Sequence, residues 1–272
     1  MKNFLINSIT FLLILVGSLL IGVYFIQEEL ILHFSQVDIE ASDFERNFEE
    51  TQATAEFDWS LVNSLEWYNF LPYINYEVSP IGELIIPTID LRLPVLQGTT
   101  DANITLGAGT MAPGLVMGEG NFSLASHWDP SPAVRFGGLH LIELGDLIIM
   151  RDANYLYIYE TVIANYVIED YRVDIVDYVE DKVYVTLMTC TPDGLQRVMV
   201  RGELSQQVAL TDLAELEMLF EQENLETITQ VVATLDYHEI PFPTLHVVAV
   251  IGGSFLLATF VVWFSNRAPK RT

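Results

Sequence analysis

Lys182-Val183-Tyr184-Val185-Thr186-Leu187-Met188-Thr189-Cys190 is a run of β-branched, aromatic and aliphatic residues ending on the only cysteine of the 272-residue chain. Such residues fit a half-buried pleated strand. The turn signal Thr191-Pro192-Asp193-Gly194 follows at once, then Arg197, then a second β-rich run over Val198-Met199-Val200-Arg201-Gly202-Glu203-Leu204. A lone cysteine cannot form an intramolecular disulfide, so Cys190 serves the chain through packing or through its thiol. Its place at the mouth of a strand, seven residues before a guanidinium, directs attention to the thiol.

Working outward, the same texture covers residues 81 to 204. Short apolar runs lie at Gly82–Pro87, Leu91–Leu96, Phe122–Ser126, Leu147–Met150, Tyr155–Tyr159 and Ala164–Ile168, separated by glycine, proline and polar turns. With the two runs around Cys190 they make eight strands without long intervening helices, which predicts a compact barrel or sandwich. Prolines at 87 and 94 favour strand ends or edges. Around this β-rich part the spacing becomes helical. Apolar residues at 59, 61, 62, 65 and 68 predict a helix within the polar stretch 28–79. Leu210, Leu213, Leu216, Leu219, Leu225, Ile228 and Val232 predict amphipathic helices within an acidic linker, 206–244. Pro241 and Pro243 interrupt helix just beyond them.

The two ends are apolar. Phe4 to Ile26 is uncharged, and as a helix its 23 residues suffice to cross the roughly 30 Å of hydrocarbon of a bilayer. This stretch exceeds a signal-peptide core and lacks a small-x-small cleavage site soon after it, so it reads as an uncleaved anchor. Leu245 to Phe264 is a second uncharged run. The expected segments are therefore an anchor at 1–27, a stalk at 28–79, a β-barrel at 80–205, a helical linker at 206–244, a second span at 245–264 and a basic tail at 265–272. Lys2 and Arg267, Lys270 and Arg271 flank the outer ends, which places both termini in the cytoplasm and the rest outside the cell.

Those four cations belong to the membrane flanks, leaving eight Lys and Arg against all 37 Asp and Glu, a net charge near −29 for the domain between the spans. So acidic a surface repels nucleic acid and anionic headgroups. It serves solubility first, and the acidic run Glu169–Asp174 reads as a solvated loop. An exported domain without paired cysteines depends on its core alone for stability.

Thiol chemistry on a carbonyl needs an imidazole to carry protons and donors for an oxyanion. Of the five histidines, His33 and His246 lie at or within the spans, His238 lies in the linker, and His140 reads as a surface or core residue. His127 ends the strand Phe122–Ser126 and opens the turn Trp128-Asp129-Pro130, a position suited to a cleft. Arg197 and Arg201 are an even step apart, so a regular strand would point both to one side. Arg197 is the candidate oxyanion partner, since a guanidinium donates two hydrogen bonds in a fixed fork. Arg201 is expected in a salt bridge.

At these residues the chain resembles the sortases, membrane-anchored cysteine transpeptidases of Gram-positive bacteria. Thr186-Leu187-Met188-Thr189-Cys190 is similar to the family's TLxTC signature, with Leu124-Ala125-Ser126-His127 upstream and Arg197 downstream in the right order. Gly107–Met111, Met117–Phe122 and Val200–Leu204 extend the likeness over about residues 80 to 205. The resemblance implies a mainly β fold, an eight-stranded sortase-type β-barrel with flanking helices and a transmembrane helix at each end. It also implies a Cys190–His127–Arg197 site. Ala125, Ser126, Thr189 and Thr191, which border His127 and Cys190 in these motifs, become candidate substrate contacts. The implied reaction cleaves an LPxTG-like signal of a secreted protein between Thr and Gly through a thioacyl-enzyme, which an amine resolves. That chemistry needs no metal or organic cofactor.

The implied subclass stays open. Gly107–Met111 and Asn121–His127 are similar to class A enzymes, which attach surface proteins to a peptidoglycan precursor amine. The second span and Cys190–Gly194 resemble class C enzymes, which polymerise pilins through a lysine amine. The Asp-Pro-aromatic lid of class C finds only Asp58-Trp59 here. A non-catalytic extracellular binding module is the remaining alternative.

Overall fold

The structure, a computed structural model, describes residues 2–34, 43–57, 72–73, 76–132, 134–169, 181–210 and 244–267. The chain divides into two units, one holding the terminal helices and the other holding residues 35–239. The stalk helix expected around Asp58–Tyr68, the Asp58-Trp59 pair, His238 and the helical linker beyond residue 210 lie outside the described residues.

In the first unit, α1 (Lys2–Phe34) and α4 (Thr244–Arg267) contain apolar stretches at Leu5–Ile26 and Thr244–Trp263, each long enough to cross a membrane. Phe11 meets Phe255 edge-to-face at 5.8 Å, and Glu29 meets His246 at 2.6 Å, so the two helices pack antiparallel. Between those contacts Gly22 lets the helices approach closely: a Cβ there would lie 2.3 Å from a Val250 methyl. Close approach at small residues is how helices gain dispersion energy where no hydrophobic effect separates them from lipid.

The second unit is a closed barrel of eight strands in the order β1-β2-β3-β4-β7-β8-β6-β5. The strands are β1 (Gly82–Ile86), β2 (Leu91–Leu96), β3 (Ala108–Thr110), β4 (Asn121–Ala125), β5 (Leu147–Arg151), β6 (Tyr155–Glu169), β7 (Tyr184–Cys190) and β8 (Gln196–Ala209). Closure removes the exposed edges that an open sheet would leave. Among the described residues two α-helices accompany it, α2 (Phe44–Thr51) and α3 (Asp101–Leu106). Thr100 caps α3, its hydroxyl accepting from the Asn103 N–H. Asn47 of α2 donates to the Pro80 carbonyl at 2.8 Å, and its neighbour Phe44 is fully buried.

The eight strands agree in number with the sequence reading, although not one for one. The runs Tyr155–Tyr159 and Ala164–Ile168 are a single strand, β6, whose pairing with β8 shifts register at three places between Ile158 and Tyr166. The first shift leaves Ser205 of β8 unpaired, whereas the two between Thr161 and Tyr166 add a residue to β6 and reverse which face its side chains take, which hides the continuity from a period-two reading. β3 is only three residues long. β8 runs to Ala209, beyond the expected end of the barrel at 205, because Val208 and Leu210 pack on an apolar cluster formed by Ile85, Ile149, Leu156 and Ile158.

Strand alternation sorts the wall into two faces. Phe122 and Leu124 of β4, Val185 and Leu187 of β7, and Val198 and Val200 of β8 fill the interior with Leu84, Val95 and Tyr159. Their alternates, Ala125, Met188, Cys190 and Met199, form a second cluster on the other side of the same wall, with Ile104, Met111 and Ile168. Farther along that side, the buried Thr186 hydroxyl donates to Asn121 Oδ1 at 2.6 Å and accepts from Arg201 Nε at 2.9 Å. Arg201 also lies over the Tyr184 ring, 5.2 Å from its centroid. Thr186→Val keeps the shape of the side chain but removes one buried hydrogen bond from each of Asn121 and Arg201. It is expected to lower unfolding stability by about 1–3 kcal/mol, read as a fall in the denaturant midpoint, with the site chemistry retained.

Candidate active site

The site is a product of strand direction. β4 and β7 are parallel neighbours, with Ala125 paired to Met188, so their C-terminal ends open at the same rim of the barrel. Continued by two residues, that register sets His127 level with Cys190. β8 is antiparallel to β7 and starts at this rim, where Arg197 is the direct cross-strand partner of Cys190. His127, far upstream in sequence, thus meets Cys190 and Arg197 at one end of three adjacent strands. Directly opposite residues in an antiparallel pair have Cβ atoms about 4.5–5.5 Å apart, within reach of an arginine side chain.

Cys190 is fully buried, packed with Met188, Met199 and Ala125, and Trp128 lies against the same cluster. Burial pushes the Cys190 thiol above its ordinary range, and the Arg197 guanidinium pulls it part of the way back. Desolvation disfavours the thiolate, and a nearby cation favours it. Arg197 itself is held on the turn that precedes it, its Nη1 donating to the carbonyls of Gln196 at 3.2 Å and Gly194 at 3.4 Å. Replacing it by alanine removes the cation and leaves the burial. Arg197→Ala is therefore expected to move the pH midpoint of Cys190 alkylation upward, slowing the reaction at any fixed pH below that midpoint. A midpoint higher by about one pH unit leaves roughly a tenth of the thiolate at such a pH.

The turn between Cys190 and Arg197 is stapled from within. Thr191 Oγ1 lies 2.6 Å from Asp193 Oδ1 and accepts from the Gln196 N–H at 3.0 Å, while Asp193 accepts from the Leu195 N–H. The Thr191 hydroxyl and the Leu195 N–H, both donating to it, hold the Asp193 carboxyl below the usual carboxylate range. Gly194 takes φ +74, the left-handed conformation that glycine adopts without a steric cost. Of the candidate substrate contacts, Ala125 shares the apolar cluster with Cys190. Thr191 sits partly exposed at the head of this turn. The buried Thr189 hydroxyl donates to the Ser126 carbonyl at 2.9 Å, tying β7 to the segment that carries His127. Ser126 is buried too, its Oγ 2.7 Å from the Gly107 carbonyl and 3.1 Å from that of Ile104.

His127 is itself nearly buried, at 4% exposure, and its carbonyl accepts from the Phe136 N–H at 3.1 Å, closing the following loop. His140 lies on the surface, its Nδ1 2.8 Å from the Gly137 carbonyl. Met188 and Met199, which flank Cys190 and Arg197 on their strands, were not singled out from the sequence, although their even spacing from those residues carried the signal. No cluster of three or more metal-ligating side chains is present among the described residues. A cavity of about 160 Å³ lies elsewhere, between α2 and the residues Ile81, Met117, Phe122 and Asp152.

This arrangement can be set against known proteins. Residues 84–205 match the family described as Sortase domain. Sortase A of Listeria monocytogenes is 31% identical over 213 residues, an alignment that takes in 75% of this chain and 94% of that protein. Sortase A of Streptococcus agalactiae is 28% identical over 216 residues, 75% of this chain and 86% of that one. Among solved structures, Listeria monocytogenes sortase A aligns with a TM-score of 0.45 at 31% identity, covering 48% of this chain and 90% of that one. On the sequence relationship to a protein matched over almost its whole length, this chain belongs to the sortase family of cysteine transpeptidases.

Proposed function

We propose that the chain is a membrane-anchored sortase that cleaves an LPxTG-like signal of secreted proteins between Thr and Gly and joins the new carboxyl end to an amine at the cell surface. The observation that carries the reading is the shared rim: Cys190 opposite Arg197 on β7 and β8, with His127 at the end of the parallel neighbour β4. In this reaction the Cys190 thiol gives its proton to His127, the sulfur attacks the threonine carbonyl, and the carbon–nitrogen bond to glycine breaks. His127 gives a proton to the leaving amine, and the acyl group rests on sulfur as a thioester. An incoming amine then gives up a proton to His127, attacks the thioester and releases the Cys190 sulfur. Arg197 donates to substrate carbonyls and to the oxyanion of both tetrahedral intermediates, where preorganised donors act most strongly in a water-poor site. Ala125 and Thr191 border the bound signal, and Ser126 and Thr189 hold the walls that they belong to.

The buried neutral thiol fits this cycle. A thiol that ionises only as substrate excludes water and an imidazole takes its proton is protected from stray electrophiles between turnovers.

We assign the anchor to 1–27, the stalk to 28–79, the catalytic barrel to 80–205, extended by β8 to residue 209, and the linker, second span and tail to the remainder. Lys2 and the basic C-terminal tail support cytoplasmic termini and an extracellular barrel. The acceptor we favour is a peptidoglycan precursor amine. A pilin lysine is the second reading, supported by the membrane-length helix α4 at the C-terminal end.

The test is a trapped intermediate. The full chain in detergent is incubated with an LPxTG-type peptide without acceptor, digested and analysed by mass spectrometry. Expected is an acyl adduct on the peptide that contains Cys190, released by hydroxylamine. The absence of both adduct and cleavage across several signal variants would overturn the proposal. Offering triglycine beside a lysine-bearing pilin peptide then distinguishes the two acceptors.

A further inference from the structure

The loop that starts at His127 closes where the Phe136 N–H donates to the His127 carbonyl, so Arg135 stands next to the residue that seals it. Arg135 is unusual in two respects. Its backbone takes φ +51, a left-handed conformation that costs a residue with a Cβ free energy. Its side chain is 2% exposed, one of the largest fully buried side chains of the protein. Burial depresses the ionisation of its guanidinium to about 10, opposed by the neighbouring Asp129 carboxylate. Nη2 meets no hydrogen-bond acceptor among the described residues. A strained backbone and an incompletely paired buried cation at one position both oppose folding, and such outliers gather where function fixes geometry.

What that position achieves is visible in its partners. Arg135 Nε donates to the Thr105 carbonyl, in the last turn of α3. The carbonyls of Ile104 and Gly107, one on either side, receive the Ser126 hydroxyl. A helix end leaves its last carbonyls without intrahelical donors. Here those acceptors are taken by side chains from the two ends of one loop, Ser126 just before His127 and Arg135 just before Phe136. Gly107 in turn packs so tightly on β2 that a Cβ there would lie 2.4 Å from the Pro94 carbonyl oxygen, which fixes the end of α3 to the barrel. Asp129, within the loop, accepts from the Ser131 N–H at 2.8 Å while facing Arg135.

We infer that Arg135 is a positioning residue for the transpeptidation: by clamping the far end of the His127 loop to the C-terminal carbonyls of α3, it holds the imidazole at the height of the Cys190 sulfur. The inference rests on the proposed role of His127. A displacement of about 1 Å in a reacting group can cost on the order of 10²-fold in rate, so loosening this clamp acts on turnover before it acts on substrate binding.

The experiment compares full-length wild type, Arg135→Met, Arg135→Lys and His127→Ala in detergent, with a fluorogenic LPxTG-type peptide and triglycine. For Arg135→Met the expected result is a fall in kcat of about tenfold or more, KM within about twofold of wild type, and an unchanged rate of Cys190 alkylation by iodoacetamide. Arg135→Lys keeps a buried cation and most of the stem, so it folds if the methionine variant does not. It is expected to restore part of kcat at the same KM. Wild-type kcat for Arg135→Met, or for Arg135→Lys where the methionine variant does not fold, would overturn the inference, as would a loss of kcat matched by an equal change in alkylation, the mark of a generally loosened barrel. If wild type transfers nothing, the proposed function fails. If wild type transfers, His127→Ala does not and both Arg135 variants do, only the role of Arg135 fails.

Discussion

Cys190→Ala is expected to lower cleavage of the signal peptide at least about 10⁴-fold, to the level of the uncatalysed reaction, because no other group in the cluster can carry the acyl chain. Its surroundings, Met188, Met199 and Ala125, offer packing and no second nucleophile. The same substitution removes one sulfur atom from a buried cluster and is expected to lower stability by only about 1 kcal/mol. The pairing of a near-total loss of turnover with a nearly native melting temperature is the useful outcome, since it separates a nucleophile from a packing cysteine. Quenched-peptide kinetics beside thermal unfolding of both proteins measures it. Substantial cleavage by the alanine variant would return Cys190 to the role of a core residue.

The second large effect is expected at His127. His127→Ala should lower kcat for an amide signal about 10²–10⁴-fold, the usual worth of a positioned general acid–base. The loss should shrink when the glycine amine is replaced by an alcohol with a low pKa, since such a leaving group departs without a proton. Binding of the signal should change little, because His127 lies two residues beyond the end of β4, at the rim level with Cys190 rather than along the strands. Amide and ester peptides assayed side by side on both proteins provide the check. An equal loss on the two substrates would make His127 a structural residue of the rim.

How far the sequence carried depends on the kind of signal each residue emits. The strand ending at Cys190, the one ending before His127 and the turn through Gly194 were legible, because alternation and turn chemistry are local. The identity of the barrel followed from the signature around them. β6 read as two strands, since its changes of register against β8 break the alternation that marks a strand. β3, three residues long, is too short to show a period and gave no strand signal. The end of β8 read as helix because Val208 and Leu210 suit either an alternating or a helical pattern. Arg135 emitted no signal at all. One arginine in a loop of mixed composition is ordinary, and its importance lies in burial and in a carbonyl 30 residues away. The direct opposition of Cys190 and Arg197 also needed the register of β7 on β8, which the separation in sequence alone does not fix.

The parallel contact between β4 and β7 has a consequence in time. Parallel neighbours cannot be joined by a tight turn, and here the whole of β5 and β6 lies between them in sequence. The bond from Thr189 to Ser126, which ties the two ends of the reaction centre together, spans 63 residues. Contacts of such long range form late, after the chain has lost the entropy of closing large loops. Strands are therefore expected to accumulate well ahead of an assembled reaction centre. In refolding, β-sheet circular dichroism should lead and peptide cleavage should follow, with the interval set by closure of the barrel.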